Sequence, residues 1–74
     1  MKYFIVDYIT QDCDNEYTEY GVLSAPTYES AEKKAVKEVK FFTRGEWKVF
    51  CEFDAIQEIP KVDFEVLQKY FPKI

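Results

Sequence analysis

The 74-residue chain contains no histidine, and this absence removes much of the chemistry available to small proteins. Without an imidazole there is no serine–histidine or cysteine–histidine nucleophile pair, no histidine general base and no histidine ligand for zinc. The two cysteines, Cys13 and Cys51, are too far apart in sequence for a metal-binding spacing. The two glycines, Gly21 and Gly45, belong to no phosphate-binding loop motif. We therefore expect no enzyme activity, no bound metal and no cofactor.

Long apolar runs and paired cysteines are also missing. No stretch approaches the roughly 20 apolar residues that a membrane-spanning helix needs, and the first residues lead into a strand-like run instead of a secretory signal. Two isolated cysteines are too few for a disulfide framework. We therefore expect reduced thiols in a cytoplasmic protein that has no membrane partner. Only two glycines and three prolines are present, which argues against disorder and low complexity.

Apolar periodicity predicts three strands within one domain that covers residues 1–74. The first strand is expected over residues 3–9 and the second over residues 17–23, joined as a hairpin. The third is expected over residues 47–55, where the odd-numbered side chains should face the core. This strand either continues to residue 59 or is followed by a short fourth strand. In the second strand, Gly21 indicates a bulge or a close approach of another backbone.

Residues 27–42 contain the one long helical pattern, and the fold is predicted to be organised around it. Its apolar stripe consists of Tyr28, Ala31, Ala35, Val39 and Phe42, widened by Val36. Small side chains suit a helix that lies close to a sheet, and Thr27 is placed to cap the first turn. A short second helix is predicted over residues 64–71, capped by Asp63. The predicted class is α+β: a small single-layer antiparallel or mixed sheet (β-β-α-β, with an optional short fourth strand) packed by one main helix and a short C-terminal helix.

The formal net charge of −4 is distributed unevenly. Residues 33–48 carry a charge of +4 and the remainder carries −8. The basic residues of this segment are Lys33, Lys34, Lys37, Lys40, Arg44 and Lys48. They form either a solvated helix face or a contact for nucleic acid or an acidic partner, with Phe41 or Trp47 stacking on unpaired bases. A further alternative is that the acidic residues elsewhere cluster and imitate nucleic acid.

The chain has more aromatic residues than its core is expected to need, since they make up 19% of it. Aromatic side chains bury a large area at protein interfaces with little loss of rotamer freedom. The candidate partner-binding residues are Tyr17, Tyr20, Phe41 and Phe50. Alternatively, the two helices cover both faces of the sheet, or half-exposed tyrosines merely flank it. We hypothesise a non-enzymatic protein-binding module, an inhibitor or adaptor, while a homodimer through a sheet edge would occupy the same surface.

The order of the elements resembles in style many small phage-encoded proteins. The shared features are a short strand pair, a helix with a threonine cap (Thr27) and an alanine stripe, and a third strand that begins at Trp47. Some proteins of that kind block host defence systems. The resemblance implies a phage-encoded modulator whose partner is a host or defence protein.

Overall fold

Three antiparallel strands form one open sheet, and two helices pack on it, in a computed structural model that describes residues 1–12, 15–39 and 50–74. The strands are β1 (Lys2–Asp12), β2 (Asn15–Ala25) and β3 (Phe50–Ile59), and the helices are α1 (Tyr28–Val39) and α2 (Lys61–Leu67). The sheet order is β2-β1-β3. The predicted α+β class is therefore confirmed, with an antiparallel sheet.

Strand β1 lies at the centre of the sheet because both of its faces are apolar. Phe4 and Val6 are fully buried on one face, and Ile5 and Ile9 are half-buried on the other. Its pairing with β2 runs without interruption to the register Asp12↔Asn15. Both strands are longer than predicted, because hairpin pairing extends into polar positions that carry no hydrophobic signal.

Helix α1 covers the face of the sheet that contains Phe4 and Val6. Its buried residues are Ala31, Ala35 and Val39, all with no exposed surface. The methyl side chains of the two alanines allow the helix to approach the strands closely, as the sequence predicts. The helix begins after Thr27, and the predicted extension beyond Val39 to residue 42 lies outside the described residues.

The capping of α1 is more extensive than the predicted single bond. The backbone N–H of Ser30 donates to the Thr27 hydroxyl at 3.1 Å, while the Thr27 N–H donates to the Ser30 hydroxyl at 3.3 Å. The two side chains therefore satisfy two backbone donors reciprocally, with serine in the position that glutamate usually occupies in a capping box.

Replacing Thr27 with alanine is expected to lower the free energy of unfolding by about 1 kcal/mol, because the first turn of α1 loses its acceptor. Urea unfolding followed by circular dichroism would measure the change. Thr27→Ser retains the hydroxyl and should behave almost as the wild type. An equal loss in the serine variant would mean that the threonine methyl group, not the cap, stabilises the helix start.

Strand β3 continues to Ile59 as a single strand. Of the two predicted alternatives, the continuous strand is therefore correct and the separate fourth strand is wrong. Its register with β1 shifts between Tyr8↔Phe53 and Asp7↔Ala55, which leaves Asp54 as an extra residue in a β-bulge. The bulge moves the following residues to the opposite face. The predicted inward orientation of the odd positions is therefore correct at the buried Cys51 and wrong at Ala55, which is exposed.

Helix α2 packs on the face of the sheet opposite α1. Phe64 is buried there, with its ring centroid 4.8 Å from that of Tyr3. The predicted range of 64–71 and the cap at Asp63 are wrong: the N-cap is Pro60, whose carbonyl accepts a bond from the Phe64 N–H at 3.1 Å. A proline needs no N–H at this position, so the helix starts three residues before the predicted one.

After α2 the chain crosses to the outer side of β2. The Val22 N–H donates to the Pro72 carbonyl at 2.9 Å, and the Ile74 N–H donates to the Val22 carbonyl at 2.7 Å, forming a parallel bridge between Val22 and Lys73. A Cβ atom at Gly21 would lie 2.6 Å from the Cδ1 of Ile74 and 3.2 Å from the Pro72 carbonyl oxygen. The glycine therefore permits a close approach, which was one of its two predicted roles.

Candidate functional site

The first half of β2 is largely exposed. Tyr17 and Tyr20 are 45% and 40% exposed there, whereas Val22 and Leu23 have no exposed surface. Because successive side chains of a strand alternate between faces, the two tyrosines lie on opposite sides of the sheet. Tyr17 pairs across the hairpin with Thr10, and Tyr20 pairs with Asp7. The structure therefore brings the two predicted residues to one strand edge, one on each face.

The ring of Tyr20 is supported by the segment that follows α2. Its centroid lies 5.7 Å from that of Phe71, with the ring planes inclined at 51°. Phe71 is half-buried. Tilted aromatic pairs at this separation are favourable, so the Tyr20 side chain is held in place while much of its surface remains exposed.

An open groove of about 360 Å³ lies along this edge. It is lined by Tyr8, Thr18, Glu19, Tyr20, Phe71 and Pro72. Phe71 and Pro72 were not predicted as site residues, because the sequence pattern assigns them to the end of a helix. No local signal shows that the chain beyond α2 crosses the sheet and returns beside β2.

Two glutamates give the edge a negative charge. The Thr10 hydroxyl donates to Glu19 at 3.2 Å, and the Gln11 side-chain amide donates to Glu16 at 3.1 Å. Both donors are neutral, and neither glutamate forms a salt bridge with a described residue; the ion pair that is present, between Lys2 and Glu58 at 3.7 Å, lies elsewhere. The carboxylates are thus positioned but not neutralised.

The other predicted contact residues lie either on α1 or partly or wholly outside the described part of the chain. Lys33, Lys34 and Lys37 are exposed on α1 and form no salt bridge within the part of the chain that the structure describes. Lys40, Phe41, Arg44 and Lys48 lie outside the described residues. Phe50 begins β3, but its side chain is also outside the described part.

The remaining aromatics are divided between packing and exposure. Tyr28 makes an edge contact with Phe4, with ring centroids 6.0 Å apart, and yet it is 47% exposed. Tyr70 is 76% exposed. Helices on both faces therefore account for Tyr3 but do not cover Tyr17 or Tyr20, whose partial exposure also fits tyrosines that merely flank the sheet.

The acidic residues do not all share one face. The β1–β2 and β1–β3 registers place Asp7, Glu16 and Glu52 on the side of α2, whereas Glu19 lies on the side of α1. Among the described residues, no group of three or more histidine, cysteine, aspartate or glutamate side chains could hold a metal ion. Cys51 is buried, with its sulfur 3.6 Å from the Thr10 hydroxyl.

A second open groove, of about 330 Å³, lies beside α2 and is lined by Ile59, Asp63, Val66 and Leu67. Neither helix in the described ranges is long and apolar enough to cross a membrane.

The β2 edge combines exposed aromatics, a groove and uncompensated charge, and it is therefore the strongest candidate site. No protein-family model, no curated protein and no solved structure matches this chain.

Proposed function

We propose that this protein is a non-enzymatic protein-binding module, an inhibitor or adaptor, which holds its partner at the outer edge of β2. The observation that carries the proposal is the exposure of Tyr17 and Tyr20 on the first half of β2, where Tyr20 also lines the open groove. Tyrosine is enriched among the few residues that dominate binding energy at interfaces. The Tyr20–Phe71 ring contact supports this assignment, because a held side chain loses little conformational entropy on binding.

The chemistry of the described side chains supports a non-catalytic role. The sequence contains no histidine. The thiol of Cys51 is covered by the core and is not positioned to attack a substrate. The exposed groups at the β2 edge are phenols and carboxylates, which are suited to recognition. Following the resemblance to phage-encoded modulators, we propose a host or defence protein as the partner.

The proposal is tested by capture of a partner from nuclease-treated extract of the source cells or their host, followed by affinity measurements with the purified partner. The Tyr17→Ala/Tyr20→Ala variant is expected to bind about tenfold or more weakly, because it loses both aromatic anchors. Tyr70→Ala is the matched control, since Tyr70 is the more exposed side chain and lies outside β2.

Circular dichroism of each variant would show that the fold is retained. Equal affinity of the wild type and the Tyr17→Ala/Tyr20→Ala variant for that partner would contradict the proposal. Equal losses in this variant and in Tyr70→Ala would also contradict it, because the β2 edge would then have no special role.

Nucleic-acid binding is the second candidate, and it is favoured by the exposure of Lys33, Lys34 and Lys37 without salt bridges to described residues. Contacts of this kind to phosphates make affinity fall steeply with salt concentration. The same capture experiment separates the two functions: a partner that is lost with nuclease treatment and with high salt would support the lysine face. A partner that survives both would support the β2 edge.

A further inference from the structure

We propose that the partner supplies an extended segment that pairs with the outer edge of β2 as an additional strand and carries two basic residues three positions apart. This inference rests on the proposed function, since it specifies the contact made at the same edge. It is argued from the backbone geometry of β2, the position of Pro72 and the two glutamates.

The outer edge of β2 already accepts a strand at one point. Val22 directs both its N–H and its C=O away from β1 and toward the segment that contains Pro72 and Ile74. In a β-strand the backbone groups of alternate residues point to the same side. The N–H and C=O groups of Tyr20, Thr18 and Glu16 therefore point to the same outer edge as those of Val22.

Pro72 limits how far this edge is used within the chain. In a parallel ladder that continues from Val22, the carbonyl of Tyr20 would accept a bond from the N–H of residue 72, and proline has no N–H. The chain also leaves the edge at this point, because Phe71 packs on the face of the sheet against Tyr20. The hydrogen bonds between β2 and this segment are therefore confined to Val22 among the described residues.

The half of the edge from Glu16 to Tyr20, which forms no backbone hydrogen bond to the described residues after α2, has the properties of a peptide-binding strand. It is called the free half below. Exposed sheet edges bind extended peptides through main-chain hydrogen bonds, while alternate side chains supply specificity. Here the groove is lined by Pro72, next to the Val22 bridge, and by Tyr20 and Thr18 of the free half. An apolar side chain opposite Tyr20 would pack on the Tyr20–Phe71 ring pair.

The two glutamates determine which segment fits. Glu16 and Glu19 lie on opposite faces of β2, and each is held by a neutral donor from β1 without a cation among the described residues. Residues of an added strand that lie directly opposite them are three positions apart, whether the strand runs parallel or antiparallel. Basic side chains at both positions would neutralise the edge.

A second copy of this chain is a poorer occupant. If β2 paired with β2 of a second copy, the Glu16 and Glu19 side chains of both copies would lie together in one short ladder. The first half of β2 has no lysine or arginine that could neutralise them. Each copy also carries a net charge of −4. Charge complementarity therefore favours a basic segment of another protein.

The direct test uses a capped peptide with the core sequence Ile-Lys-Val-Thr-Lys-Ile, titrated into the full chain by isothermal calorimetry. This sequence places lysines opposite both glutamates and isoleucine opposite Tyr20 in either strand direction. We expect saturable binding that weakens as salt is added, since exposed ion pairs are screened. The matched peptide with glutamate in place of both lysines should not bind. Absence of binding by the lysine peptide would overturn the inference.

N-methylated versions of the lysine peptide test the strand pairing itself. Methylation of one alternate set of amides should weaken binding by about tenfold or more, through the loss of main-chain hydrogen bonds to β2. Methylation of the other set, which faces solvent, should have little effect. In this peptide the amides of the first, third and fifth residues face β2 in either strand direction, so this is the set that should be sensitive. Equal effects of both sets would exclude an added strand.

Variants of β2 provide the complementary test. Thr18→Pro removes an outward N–H at a position where an edge strand tolerates proline, so it should retain the fold and lose the peptide. Thr18→Ala retains the amide and should bind normally. The Glu16→Lys/Glu19→Lys variant should bind the glutamate peptide and no longer bind the lysine peptide. The peptide and charge-exchange tests remain decisive if the proline variant does not fold.

The failure of this inference is distinguishable from failure of the proposed function. If Tyr17→Ala/Tyr20→Ala loses the captured partner while Thr18→Pro retains it, the module binds at this edge without strand addition. If neither variant affects the partner, the proposed function itself fails. A dimer in sedimentation velocity that Thr18→Pro converts to a monomer would show that the occupant is a second copy and would overturn the inference.

Discussion

Replacing Phe4 with alanine is expected to lower the free energy of unfolding by about 3–5 kcal/mol, which is the usual cost of truncating a buried phenylalanine. Phe4 lies in the central strand with no exposed surface, and it pairs with the equally buried Leu23 across the hairpin. Its ring also meets the edge of Tyr28 at the start of α1. The truncation would leave a cavity between the sheet and α1.

The size of the effect matters because the domain is small. Per-residue averages give a chain of this length a total stability of about 4–11 kcal/mol. The Phe4→Ala variant should therefore show a transition at much lower urea concentration, followed by circular dichroism, and a large unfolded fraction without denaturant if the total is near the lower value.

Two controls define the contribution of the core. Phe4→Leu keeps most of the buried volume and should lose clearly less stability than Phe4→Ala. Val62→Ala truncates a side chain on α2 that is 64% exposed, and it should change stability by no more than about 0.5 kcal/mol. If Phe4→Ala were no more destabilising than Val62→Ala, the packing of α1 on β1 would not be the main source of stability.

The elements that the sequence predicts well are those determined by neighbouring residues. The two apolar faces of β1 arise from the nearly continuous apolar run from Phe4 to Ile9, which only Asp7 interrupts. The buried side of α1 arises from the spacing of Ala31, Ala35 and Val39. The Thr27 cap likewise depends on residues within one turn. Such signals are contained in a short window, so a single sequence is sufficient to read them.

The features that the sequence does not predict depend on contacts between distant segments. The bulge at Asp54 appears only when β3 is paired with β1, since alternation within β3 itself gives no reason to change faces after Phe53. The bridge between Val22 and Lys73 joins residues from the two halves of the chain. Its formation depends on where the chain emerges after crossing the sheet, which periodicity cannot specify.

The candidate site shows the same division. The exposure of Tyr17 and Tyr20 follows from an excess of aromatic residues over the volume of a small core, and their placement on opposite faces follows from their odd spacing. The groove beside them requires Phe71 and Pro72, which reach β2 only in the folded chain. Sequence reasoning therefore identifies the strand that carries the site but not the second wall of its groove.

The same returning segment makes Gly21 sensitive to substitution. Replacing Gly21 with alanine is expected to lower the free energy of unfolding by about 1–3 kcal/mol, the usual cost of inserting a side chain into a packed region. The added Cβ would lie 2.6 Å from the Ile74 side chain and 3.2 Å from the Pro72 carbonyl oxygen. The side chain can rotate away, but the carbonyl accepts the bond from Val22 and can shift only by straining that bridge.

A double-mutant cycle with Ile74→Ala separates this close approach from a general loss of strand stability. Ile74 is 9% exposed and belongs to the main core cluster, so its truncation alone should also be destabilising. If the Gly21 Cβ is excluded by Ile74, Gly21→Ala should cost clearly less in the Ile74→Ala background, with a coupling of about 0.5–3 kcal/mol in urea unfolding. Additive losses would mean that the two residues act independently. In that case the cost of Gly21→Ala would come from the Pro72 carbonyl oxygen, which is 3.2 Å from the added Cβ, instead of from the Ile74 side chain.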